Sequence, residues 1–220
     1  MEKSKQGVLL STVDIASADE ADFNNWSDQE HVLERVAIPG FLDGRRYQCA
    51  SAAPHYLSLY RTETFSVLDS PAYRHALANQ TPWSLKNFAR FVSSHRVIAP
   101  ITVRHGVVNG GALALIRFRP TSAPDVARQA VDAALKACIG VQGALSTALL
   151  EADPVLSKPI GAAEPPPGAG DWYLVVEGLQ ADAVAAAVDA LDRGGIGAHG
   201  EVVSSGRYNL ISYYSRTDAQ

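Results

Sequence analysis

One order of elements, met twice along the chain, constrains the fold more than any single residue does. Gly7 to Ile15 (GVLLSTVDI) is short, β-branched and apolar, the pattern of a strand. From Ala18 to about Val36 the pattern turns helical, with acidic residues early and Arg35 late, as the helix dipole favours; Pro39-Gly40 stops it. Phe41 to Ser51 and His55 to Glu63 read as strands joined by a short turn around Ala53-Pro54. Ser70-Pro71 opens a second helix with proline in its first turn, Thr81-Pro82-Trp83 interrupts it, and Leu85 to Phe91 continues as another turn. Ser94 to Val103 returns as a strand.

Val107 to Gly111 (VVNGG) is a glycine-containing joint, and beyond it the same order recurs. Ala112 to Arg119 is a strand, Pro124 to Cys138 an Ala-rich amphipathic helix, Gly143 to Leu150 and Trp172 to Gly178 strands, Ala181 to Asp192 a helix, and Tyr208 to Tyr214 the last strand. The expected class is α+β: two tandem ferredoxin-like βαββαβ units, residues 1–106 and 111–220, each an antiparallel sheet with helices on one face. Each unit leaves a helix-free sheet face to bury. Packing the two together as an intrachain pseudo-dimeric α/β barrel does so. Residues 152–170, with Pro165-Pro166-Pro167, are too long for a hairpin loop; they are a mobile loop or a lid over a pocket.

Composition narrows the function. The 220 residues are 47% hydrophobic and 19% charged, as in a globular protein, with a net charge of −4. Without a basic footprint nucleic acid is a poor partner. No apolar run approaches the roughly 20 residues of a membrane span, and the Val8-Leu9-Leu10 run is too short for a signal-peptide core. Cys49 and Cys138 are far apart, form no metal spacing and read as buried free thiols of a cytoplasmic protein.

The first helix carries polar groups where apolar ones belong. At about 100° per residue, Phe23, Trp26, Leu33 and Ala37 form the buried stripe, and Glu30 falls inside it. Glu34 and Ser27 lie on its edge, and His31 beside them. A carboxylate in an apolar stripe is costly unless paired, hydrogen-bonded or open to a cavity, and burial suits it to acid–base work. Glu30 and His31 are therefore the candidate catalytic pair. The bland alternatives are a Glu30 ion pair with Arg45 or Arg46 and a surface or capping role for His31. The equivalent helix of the second half has no polar intrusion, so a single pocket is expected in the first half.

Neighbouring strands supply candidate ligand-binding residues. Alternation puts Arg45, Tyr47 and Cys49 on one face and Arg46 and Gln48 on the other. Tyr56, Ser58 and Tyr60 share a face opposite Leu57 and Leu59, and either face could be core. Trp83 is a loop aromatic, a plug on the first helix or a lid residue.

The motifs W-x3-E-H-x3-R (Trp26, Glu30, His31, Arg35), I-P-G-F at 38–41 and G-R-R-Y at 44–47 resemble the first helix and second strand of the dimeric α/β-barrel superfamily, EthD-like proteins in particular. S-P-A-Y at 70–73 and T-P-W-S at 81–84 fit the same pattern. The resemblance covers residues 7 to 100; beyond them only element order supports it. It implies a pocket between helices and sheet, with Trp26 and Glu30 at its wall. The superfamily spans cofactor-free monooxygenases, cyclases, isomerases, haem-degrading enzymes and haem-dependent chlorite dismutases, and fold alone does not choose among them.

The expected function is a cofactor-free enzyme that acts on a small aromatic or polyketide-like ligand by acid–base chemistry. Glu30 or His31 would move the proton, Trp26, Tyr47, Tyr60 and Trp83 would shape the pocket, and Arg45 or Arg46 would hold an anionic group. The alternative is a non-catalytic small-molecule-binding or stress-related module. A third reading, haem binding, has His55, His75, His95 and His105 as candidate axial ligands, with nothing to select one. No cofactor, no metal and no membrane are expected, and homo-oligomer formation is left open.

Overall fold

Strand alternation, helix caps and two unusually long strands build the molecule. The computed structural model describes residues 5–49, 53–159 and 161–219. Eight antiparallel strands close a barrel: β1 (Gly7–Ile15), β2 (Phe41–Gln48), β3 (Tyr56–Thr62), β4 (Phe91–His105), β5 (Ala112–Pro120), β6 (Ala144–Glu151), β7 (Trp172–Gly178) and β8 (Gly200–Ser215). Around the barrel they run β1-β3-β2-β8-β5-β7-β6-β4, and β4 pairs with β1 to shut it.

The long strands join the two halves. Residues 91–100 of β4 pair with β1 of their own half, and residues 101–105 go on to pair with β6. Likewise β8 pairs with β5 over residues 200–209 and with β2 over residues 209–215. This explains the main departure from expectation, a last strand that starts eight residues before Tyr208. The segment GEVVSSGR has weak strand propensity, and its ladder with β5 supplies what its side chains do not. The expected end of the second strand, residues 50–51, lies outside the described residues.

Alternation sorts the side chains into two layers. Val8, Leu10, Tyr47, Leu57, Leu59, Val97, Leu113, Val175 and Tyr208 fill the barrel interior. The outward faces are covered by helices. On the second half, α5 (Pro124–Cys138) and α7 (Ala181–Arg193) pack Val131, Leu135, Val184 and Leu191 on Ile116, Leu174 and Val176. Cys49 and Cys138 are buried and free. Among the described residues no helix is long and apolar enough to cross a membrane.

On the first half the cover is α1 (Glu20–Trp26), a π-helical turn (Ser27–His31), α2 (Val32–Ala37), α3 (Pro71–Ala78) and α4 (Pro82–Phe88). Both short helices start as Ser-Pro or Thr-Pro should. Ser70 Oγ accepts from the Tyr73 amide at 3.2 Å and Thr81 Oγ1 from the Ser84 amide at 3.0 Å, with proline at the first helical position. The loop between β6 and β7 contains α6 (Pro154–Ser157), capped by Asp153. Ser157 Oγ accepts from the Ile98 amide at 2.8 Å, which pins this end of the loop to β4.

Candidate ligand cavity of the first half

The π-helical turn decides which side chains reach the cavity. The Val32 amide donates to Ser27 O, five residues back, so this turn holds one residue more than an α-turn. An extra residue rotates everything after it by about 100°. The buried stripe therefore passes from Phe23 and Trp26 to Val32, Arg35 and Val36; Leu33 is only half-buried and Ala37 is exposed. The unbroken projection that put Glu30 inside the stripe fails at Ser27, because the helix does not keep one pitch. His31 takes the inward position instead.

A cavity of about 340 Å³ lies between the outward face of β1, β3 and β4 and these helices. Its wall is mainly apolar, with Leu9, Val13, Phe23, Trp26, Phe88 and Phe91. Tyr60 and Ser58 line it, whereas Leu57 and Leu59 on the opposite face of β3 enter the barrel core. Pro159, Pro166 and Ala169 of the 152–170 loop complete the wall. At the equivalent position of the second half, the helices pack on the sheet through a continuous apolar core.

His31 is the most unusual group here. Its ring lies against Trp26, with centroids 4.4 Å apart, and meets Phe88 edge-on at 5.8 Å. Burial, and then the guanidiniums of Arg35 and Arg46, hold its pKa well below the ordinary 6.5, so the ring is neutral at pH 7. Nδ1 is sealed from solvent and has no hydrogen-bond partner. A proton on Nδ1 would leave a buried donor unpaired, which is the rarer and costlier defect. A proton on Nε2, the ring nitrogen not sealed in this way, avoids that defect and would make neutral His31 a hydrogen-bond donor.

Polar groups on the same wall are under-used. Tyr60, 2% exposed, has no partner for its hydroxyl, and Ser58 nearby makes no hydrogen bond of acceptable geometry. Burial pushes its pKa up to about 12. Arg35, buried at 4% exposure, donates to Gln80 Oε1 at 3.1 Å. Arg96 donates to Leu156 O at 2.8 Å and Tyr73 Oη at 3.2 Å, and its buried Nε has no acceptor. His95 shares its Nε2 with Tyr173 Oη at 2.8 Å, and burial, then Arg117, lowers its pKa.

Of the residues the sequence nominated, Trp26, His31 and Tyr60 line the cavity together. Glu30 does not line it: its Oε1 accepts from Thr81 Oγ1 and, at 3.5 Å, from Ser84 Oγ, while Ser84 Oγ also accepts from Trp26 Nε1 at 3.1 Å. These hydroxyls, and not Arg45 or Arg46 as in the alternative ion-pair reading, are the partners of Glu30. Arg46 is buried against α1, bound to Asp28 Oδ1 at 2.5 Å and Asn24 Oδ1 at 2.6 Å, with its guanidinium 5.5 Å over the Phe23 ring. Arg45 and Tyr47 lie on the other side of the sheet, inside the barrel. There Arg45 Nη1 donates to Glu177 Oε2 at 2.7 Å and to Tyr47 Oη at 2.9 Å. Trp83 packs on α1 and donates from its indole to Asp22 Oδ1 at 3.2 Å.

Sequence reasoning missed Arg35 as a wall residue, and missed Tyr73, His95 and Arg96 there altogether. Alternation along β4 could have found Arg96, since it shares a face with Ser94 and Ile98, opposite Val97 and Ala99. Of the four histidines weighed as haem ligands, His55 and His75 are exposed, His105 Nε2 is 2.7 Å from Asp132 Oδ1, and the Nε2 of His95 is bonded to Tyr173 Oη. Among the described residues no cluster of metal-binding side chains occurs.

The sequence matches no protein-family model and no curated protein. Solved structures of similar shape cover nearly the whole chain. An anthrone oxidase-like protein aligns over 100% of this chain and 96% of its own, with a TM-score of 0.66 at 12% identity. A candidate monooxygenase from Lactobacillus acidophilus aligns over 97% of both chains, with a TM-score of 0.58 at 10% identity. A mutant chlorite dismutase from Candidatus Nitrospira defluvii, in complex with cyanide, aligns over 96% of this chain and 92% of its own, with a TM-score of 0.59 at 12% identity. The fold is that of the dimeric α/β barrels. At these identities the likeness is one of fold. The dimeric α/β-barrel architecture puts the first-half helices over the cavity, and the cavity's own residues carry any argument about chemistry.

Proposed function

We propose that this dimeric α/β-barrel protein is an enzyme acting without a cofactor on a small aromatic or polyketide-like molecule, by moving a proton to or from it. One observation carries the reading: His31, kept neutral by burial and two arginines, sits at the wall of an aromatic-lined cavity with its Nδ1 buried and unpartnered. The cavity volume of about 340 Å³ is within the range of small-molecule sites.

A neutral imidazole N–H is suited to stabilise negative charge that develops on a substrate oxygen as a neighbouring C–H or O–H loses its proton. His95 borders the cavity, but its ring shares the barrel-side face of β4 with Val97 and Ala99 and its Nε2 is held by Tyr173 Oη, so the released proton passes to water or to an ionised group of the substrate. Trp26 and Tyr60 shape the site. Glu30 supports it by holding α4 against the π-helical turn. The name of the anthrone oxidase-like structure agrees with an aromatic substrate. We also read the chain as two ferredoxin-like units in tandem, on the strand order β4-β1-β3-β2 of the first half and β8-β5-β7-β6 of the second, with EthD-like character in the first.

A second reading, a binding module without turnover, draws on the same depressed basicity of His31, which makes it a poor proton acceptor. Anthrone and naphthol derivatives incubated in D2O under anaerobic conditions separate the two readings. The enzyme reading expects the protein to accelerate exchange at the acidic carbon, and His31→Gln to cut that acceleration by about 100-fold with the melting temperature nearly unchanged. Ligand-dependent thermal stabilisation with no accelerated exchange by the wild-type protein would sink it in favour of the binding module.

A further inference from the structure

The charge balance of the cavity wall specifies its ligand further. Arg35 and Arg96 both line the cavity, and neither forms an ion pair among the described residues. Among the described residues no aspartate or glutamate belongs to the wall. Elsewhere in this protein a buried guanidinium is matched: Arg45 by Glu177, and Arg46 by Asp28. Arg35 is buried and Arg96 half-buried with its Nε sealed; an unmatched cation withdrawn from water is costly, and a structure keeps it where a counter-charge arrives from outside. Arg96 Nε and Tyr60 Oη add two buried donors with no acceptor on the same wall.

We propose that the cavity binds an aromatic carboxylate, with Arg96 and Arg35 facing the carboxylate, Tyr60 donating to it, and the aromatic body lying against Trp26, Phe88 and Phe91. This rests on the cavity being the ligand site. Carboxylate is favoured because guanidinium N–H groups match its two oxygens in one plane. The anion-holding role expected of Arg45 or Arg46 thus passes to two arginines reached from α2 and β4. Arg96 also holds the carbonyl of Leu156, so the same side chain ties the ligand's charge to the 152–170 loop, whose Pro159, Pro166 and Ala169 close the wall.

The test compares 2-naphthoate with its neutral isostere 2-naphthamide by isothermal titration at low and at physiological salt. The wild-type protein is expected to bind the carboxylate at least about tenfold more tightly than the amide. Arg96→Gln and Arg35→Gln are each expected to erase most of that preference while leaving amide affinity within about twofold, which shows that the cavity itself survives. His31→Gln should keep the preference, so loss of proton exchange and loss of charge recognition are separable outcomes. Equal binding of the two probes, binding of neither, or a preference that outlives both arginine substitutions overturns the proposal.

Discussion

The imidazole of His31 lies against the indole of Trp26, with ring centroids 4.4 Å apart and planes 32° from parallel. The two are five residues apart, and the π-helical turn that begins after Trp26 brings them together on the cavity wall. Trp26 is in turn fixed by its bond to Ser84 Oγ, so the pair is held from both sides.

Deleting Gln29 tests the role of the extra residue. It is exposed, and its removal restores an α-helical pitch while keeping Phe23, Val32 and Val36 in phase on the core. The deletion variant is expected to fold, with stability within about 1 kcal/mol of wild type in urea unfolding, and to lose naphthoate binding. A loss several times larger would show that the turn is needed for packing.

Stability should depend on pH through His31 and His95, whose folded pKa values both lie below the ordinary 6.5. A histidine depressed in this way contributes stability that is fully present above the unfolded pKa and is lost as pH falls below it. Below pH 6.5 each contributes a slope of up to about 1.4 kcal/mol per pH unit until the pH reaches its own folded pKa. Urea unfolding at several pH values should show His31→Gln with a shallower acid limb than wild type. An unchanged limb would place the proton uptake elsewhere.

Glu30→Gln should separate support from chemistry. The carboxylate accepts from Thr81 and Ser84, and an amide oxygen can still accept from one of them. The expected cost is about 1 kcal/mol in chemical denaturation, with ligand affinity within about twofold of wild type. Glu30→Ala should cost about 1–3 kcal/mol, because the hydroxyls then lose their acceptor.

Inside the barrel, Glu177→Gln removes the carboxylate that accepts from Arg45 at 2.7 Å and from the Gly110 amide at 2.9 Å, and leaves Arg45 only Asp43, 3.8 Å away and shared with Arg61. A loss of about 3–5 kcal/mol is expected, with cavity binding unaffected across the sheet. A binding defect at preserved stability would put Arg45 back among the ligand-binding residues.

Much of the architecture was readable because it rests on local patterns. The β-branched run at Gly7–Ile15, the Ser70-Pro71 and Thr81-Pro82 helix starts and the amphipathic Pro124–Cys138 helix recur with nearly the boundaries expected. Where partners make the element, sequence was silent: the first part of β8 is a strand because β5 and Pro120 to Ala112 hold it. Within the site, Trp26 was legible from the helical projection, whereas alternation grouped Tyr60 with Ser58 without saying which face of the strand meets the cavity. Glu30 and His31 exchanged places, because a projection at constant pitch cannot see a π-helical turn, and nothing in SDQEH announces one. Arg96 was overlooked because its partners, Leu156 O and Tyr73, are far away in sequence.

Nitrogen-15 NMR of histidine-labelled protein, with His31→Gln for assignment, tests the central claim most directly by reporting the charge and tautomer of one ring. The His31 resonances should show a neutral imidazole at pH 7, protonated on Nε2, with a pKa well below 6.5. An imidazolium at pH 7, or a neutral ring with its proton on Nδ1, would contradict the account.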